Sequence, residues 1–193
     1  MGNLLEDFMG SMGSQVTDQL SSSLGIDSKT AGAIIPQVLP MILGGLKKQK
    51  DERGGAERVD HILNKYGSSS VLDDIGGLFS SKSQDSNPDP ALGGLLGDAG
   101  VQASNLFGKQ FNLDGGTASK IIPMLAPVVL GFLTKKRDGG EGSSGIASLL
   151  DQDGDGSVLD DVAGFLMSGL GDSSSKEGGL LGGLLGGLLG GKK

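Results

Sequence analysis

The chain has 193 residues, 36% of them hydrophobic and only 4% aromatic, so its core is a modest one of Leu, Ile, Val, Ala and Met, in one medium domain or two small ones. A formal charge of -7 and a pI near 4.6 exclude an extended nucleic-acid surface, which needs clustered Lys and Arg to displace counterions from phosphate. The absence of cysteine excludes a disulfide framework, a thiolate nucleophile and a Cys-ligated metal centre.

The first ten residues, MGNLLEDFMG, lack the basic stretch and long apolar run of a secretory signal. No run reaches the roughly 18 to 20 apolar residues of a spanning helix, so the expectation is a soluble, cytoplasmic protein. Leu4, Leu5, Phe8, Met9, Met12, Val16, Leu20 and Leu24 recur at helical spacing and predict a packed helical strip over 3 to 24, weakened at Gly10 and Gly13. In 24 to 48, Asp27 or Ser28 is placed to cap a helix that Gly44 and Gly45 loosen at its end. Pro36 and Pro40 remove amide donors inside it and predict two short helices or one kinked one. A charged run leads to a helix near 56 to 66 with Ala56, Val59, Ile62 and Leu63 inward. SSSVLDDIGGLF, 68 to 79, begins another, with Ser70 and Asp73 spaced as a capping box.

The polar stretch 81 to 90, closed by Pro88 and Pro90, reads as a linker, after which the pattern starts again. FNLDGGTASKIIPMLAPVVLGFLTK, 111 to 135, aligns without a gap to 24 to 48 at an offset of 87, with eleven of 25 positions identical. Asp27 falls on Asp114, Thr30 on Thr117, Pro36 on Pro123 and Pro40 on Pro127. The same offset carries SVLDD at 70 to 74 onto SVLDD at 157 to 161. One register held over both blocks points to an internal duplication. The expected fold is all-α: a first helical unit at 1 to 80, a linker, a second helical unit at 91 to 172 and a Gly/Leu-rich tail at 173 to 193.

The proline blocks IIPQVLPMILGGL and IIPMLAPVVLGFL, the LDQDGDGSVLDDV loop and the Gly/Leu-rich end resemble the YidB-like family of bacterial proteins of unassigned function. The resemblance covers about 16 to 80 and 103 to 170, as two copies. It implies a small all-helical domain and no agreed activity.

DQDGDGSVLDDV, 151 to 162, packs five carboxylates and two glycines into one short stretch. A calcium loop places oxygen ligands at positions 1, 3 and 5, glycine at 6 for the turn and a backbone carbonyl at 7. Asp151, Asp153, Asp155, Gly156 and Ser157 meet those requirements. Leu159 and Val162 stand where an EF-hand has a polar residue and a bidentate Glu, so Asp161, or Asp160, must close the shell from an earlier position and a weaker, water-rich site results. The first copy, NKYGSSSVLDDI, keeps the frame but has Asn64, Tyr66 and Ser68 in place of the three Asp, and no metal is expected there. On the competing reading Ser157 caps the next helix, Asp160 closes a capping box and Asp160 and Asp161 only favour its positive end, which leaves the crowding of Asp151, Asp153 and Asp155 unexplained.

Other chemistry is thin. His61 is the lone histidine and Ser148 takes its place in the second copy, so it reads as a helix-surface residue rather than a general base. The GGLLG strings lack the Lys-Ser/Thr and preceding strand of a phosphate loop. No catalytic set recurs, and an enzyme is not expected. The tail GGLLGGLLGGLLGG carries eight glycines, each costing about 1 kcal/mol of helix propensity relative to alanine, so an isolated helix is not expected in water. The tail either stays disordered or is ordered in a membrane interface, by packing against itself or in a partner groove. The sequence therefore predicts a calcium-stabilised assembly or interaction protein whose tail self-associates or docks on a protein partner. The alternative is a peripheral membrane-surface protein held by its Gly/Leu ends.

Overall fold

A computed structural model describes residues 4–84, 95, 96 and 98–151, all within the first of the chain's two units, Met1–Val162; the second, Ala163–Lys193, lies outside them. Helices α1 (Leu4–Phe8) and α2 (Ser14–Leu24) are joined by a π turn, Met9–Gly13. The predicted strip is real, with Phe8, Val16 and Leu20 fully buried. The two glycines fall inside the π turn, where the Ser11 hydroxyl bonds back to the Asp7 carbonyl at 2.6 Å. Gly25 ends α2 at φ 65°, a left-handed conformation open to glycine, and donates to the Ser21 carbonyl.

Helix α3 (Ser28–Arg53) starts at Asp27, whose carboxylate accepts from the Thr30 amide at 2.9 Å and the Thr30 hydroxyl at 2.6 Å. Both prolines lie inside this single helix. Each interior proline costs about 3 kcal/mol or more, but Ile34, Ile35, Val38, Leu39 and Ile42 are buried along it at about 1.5–3 kcal/mol apiece, enough to hold the helix together. The expected loosening at Gly44 and Gly45 does not occur, since α3 runs on to Arg53. Gly45 serves close packing instead: a Cβ there would lie 2.8 Å from Leu96 Cδ2 and 3.0 Å from the Leu95 carbonyl oxygen.

Helix α4 (Gly55–Tyr66) buries Val59, Ile62 and Leu63, with Ala56 half-buried. A 3-10 turn (Ser69–Leu72) leads to α5 (Ile75–Gln84), anchored by Ile75 and Phe79. Helix α6 (Asp98–Gln110) then packs on α7 (Gly115–Lys136), as α2 packs on α3. Asp114 caps α7 by accepting from the Thr117 amide at 3.0 Å and from the Thr117 hydroxyl. Helix α7 is the axis of the core: every residue from Val128 to Thr134 is buried. A π turn (Arg137–Glu141) joins it to α8 (Gly142–Asp151), held by Ile146 and Leu150.

The described apolar side chains form one core drawn from both sides of residues 85–94, and α4, the 3-10 turn and α5 all lie against α7. The expected all-α class is what the described residues show. Ser28–Arg53 and Gly115–Leu150 are long and apolar enough to cross a membrane, with 67% of the second window buried inside the protein. The inward-facing residues of α7 account for that hydropathy.

Candidate functional site

Of the acidic stretch 151 to 162, Asp151 is described and lies on α8. Asp153, Asp155, Ser157 and Asp161 lie outside the described residues, as does the Gly/Leu tail. The aligned segment on the first side, 64 to 75, is fully described and shows the local framework: helix, 3-10 turn, helix.

Gly67 closes α4 by donating to the Leu63 carbonyl at 2.8 Å. Within the turn, Val71 N–H bonds to Ser68 O at 3.2 Å and Asp73 N–H to Ser70 O at 3.1 Å. The capping box expected from Ser70 and Asp73 is not formed. Ser70 lies inside the 3-10 turn with its hydroxyl 2.7 Å from that of Ser68, and α5 begins only at Ile75. The cap is Asp74, whose Oδ1 accepts from the Gly77 amide at 2.8 Å. The missed signal was the tight turn, which uses up SVL before the helix can start.

The turn is pressed onto α7. A Cβ on Gly67 would lie 2.7 Å from both the Leu130 carbonyl oxygen and Thr134 Oγ1, and one on Gly131 would lie 2.8 Å from the Ser68 carbonyl oxygen. Thr134 is 6% exposed, and among the described residues its hydroxyl has no hydrogen-bond partner. Position 3 of the turn, where a calcium loop places a carboxylate, is Tyr66, with the Lys65 ammonium 5.1 Å from its ring centre. Among the described residues no three His, Asp or Glu are grouped to hold a metal.

Charged groups cluster where α7 ends. Lys136 Nζ bonds Asp7 at 2.8 Å and Glu141 at 3.4 Å, and the Asp7 hydrogen bond holds its pKa above the ordinary lysine value. Arg137 reaches Asp138 at 2.9 Å and Asp60 at 3.3 Å, and is likewise raised, chiefly by Asp138. These bridges tie the first helix, α4 and the π turn to one end of α7. The Asp27 and Asp114 carboxyls are held below the usual carboxylate range, first by the hydroxyl of Thr30 or Thr117 and then by its amide. His61 is exposed on α4, where the sequence placed it.

The profile of the family described as bacterial protein of unknown function (DUF937) matches residues 6–136. The chain belongs to this family. That match runs as one block through both proline helices rather than as two copies, and it ends before the acidic loop. No curated protein and no solved structure matched the chain.

Proposed function

We propose that this member of the family is a non-enzymatic, cytoplasmic assembly or interaction protein whose second loop takes one calcium ion. Three carboxylates at alternate positions, Asp151, Asp153 and Asp155, followed by Gly156, carry the reading. Asp151, the first ligand position, lies on α8, and the other positions of the reading are carried by the sequence alone. The donor set suits a hard cation: carboxylates, the Ser157 carbonyl and a closing carboxylate from Asp161, with water completing the shell.

The ion's role is structural. Three carboxylates in one turn repel one another, and a divalent cation converts that repulsion into attraction while fixing the exit from α8. Tyr66 at the aligned third position marks the other turn as one held by packing instead. The Gly/Leu segment 178 to 191 is the docking element, supplying leucines to a protein partner or to a second copy.

The experiment is a thermal melt in chelator and in calcium. Calcium at about 100 times its dissociation constant adds about 2.7 kcal/mol, or roughly 5–10 °C for a chain of this size. Equal melting temperatures at millimolar calcium and in chelator would remove the calcium claim.

A further inference from the structure

The described core repeats itself across the linker. Leu20, Ile42, Val59 and Leu63 are buried, and so are Phe107, Val129, Ile146 and Leu150, each 87 residues further on. The two proline helices start with the same double hydrogen bond, Asp27 to Thr30 and Asp114 to Thr117. Most telling is the exchange of partners. Helix α4 packs on α7 and α8 packs on α3, while α3 meets α7 and α4 meets α8. Contacts that swap in this way, with like elements meeting each other, are what an approximate two-fold axis produces.

We infer that the described residues of 4–84 and of 95–151 are like halves that clasp each other, so that the partner surface of each half is fitted to the proline helix of the other. The clasp is made where backbone meets backbone: Gly67 against Leu130, and Gly131 against Ser68. It is reinforced at both ends by bonds that cross between halves, Lys120 Nζ to the Ser83 carbonyl at 2.5 Å, Lys136 to Asp7 at 2.8 Å and Arg137 to Asp60 at 3.3 Å. Phe8 stacks edge-on against Phe132 at 5.3 Å, with Phe8 fully buried. A surface this complementary holds without the covalent linker. The proper partner for either half is thus a like half, in the same chain or in a second copy.

The test begins with the full chain carrying a protease site inserted between Gln84 and Pro90, purified folded and then cut. The two pieces are expected to coelute at the mass of the intact chain and to keep its helical circular dichroism. Their melting temperature should fall on dilution while that of the uncut chain does not, because folding has become bimolecular. Gly131→Ala in the cut chain should weaken association at least about fivefold, whereas Gly115→Ala, with open space around it, should leave it unchanged. Pieces that separate under native conditions would overturn the inference, whether or not they stay helical. So would equal association of the Gly131→Ala and Gly115→Ala chains.

Discussion

Replacing Gly67 by alanine puts a number on how closely the turn approaches α7. The backbone there has φ -106° and ψ 53°, a negative φ, so the substitution is decided by contact rather than by left-handed strain. The added methyl would sit 2.7 Å from the Leu130 carbonyl oxygen, 2.7 Å from Thr134 Oγ1 and 2.9 Å from the Leu130 carbonyl carbon. Two of those atoms are helix backbone and cannot rotate aside. Overpacking of this kind costs about 1–3 kcal/mol, and the alanine returns about 0.4–1 kcal/mol by restricting the unfolded chain. The net expectation is a loss of about 1–2 kcal/mol, or roughly 2–8 °C in melting temperature for a protein of this length. Thermal melts followed by circular dichroism, in chelator, measure it. Gly115→Ala is the matched control: nothing lies within 4 Å of its Cβ, and it should melt at or above wild type. A Gly67→Ala chain as stable as wild type would show that the turn does not bear on α7 as described.

Asp74→Ala should cost about 1 kcal/mol by removing the α5 cap, while Asp73→Ala should cost much less; the reverse order in denaturant melts would restore the capping box expected from the sequence. Thr134→Val keeps the side-chain shape and removes a buried hydroxyl that has no partner among the described residues, so stability should rise by about 1 kcal/mol, and a lower melting temperature would contradict this. Asp27 and Asp114 titrate below the ordinary 3.8, so their contribution is complete above that pH and is lost as pH falls through their folded values. Asp27→Asn with Asp114→Asn should therefore flatten the fall in melting temperature below about pH 4, and an unchanged acid profile would exclude the caps as its source. Lys136 is raised above 10.5, so the stability from its bridges is present below that pH and is lost as pH climbs through the folded value.

Periodicity made the helices legible because their apolar faces are strong. Phe8, Val16 and Leu20 were visible as a strip, and the cap was narrowed to Asp27 or Ser28; the structure uses Asp27, whose carboxylate takes both Thr30 donors. The failures share a cause. Gly44 and Gly45 looked like an ending, and Ser70 like a beginning, because local propensity carries no information about a distant backbone. Gly45 is small for Leu95 and Leu96, and the 68 to 72 segment is wound tightly to fit α7. Both are tertiary effects overriding local signals. The acidic loop was legible as ligand chemistry alone. Of its named residues only Asp151 falls on a described element; Asp74, which the sequence aligns with Asp161, is a helix cap.

Calorimetric titration of the full chain with calcium tests the central claim most directly, run beside a chain carrying Asp151→Asn, Asp153→Asn and Asp155→Asn. The account predicts one ion bound per chain and none to the triple variant, with Asp161→Asn weakening the site less than the triple change. No heat from the wild-type chain at millimolar calcium, or equal heat from the triple variant, would contradict it.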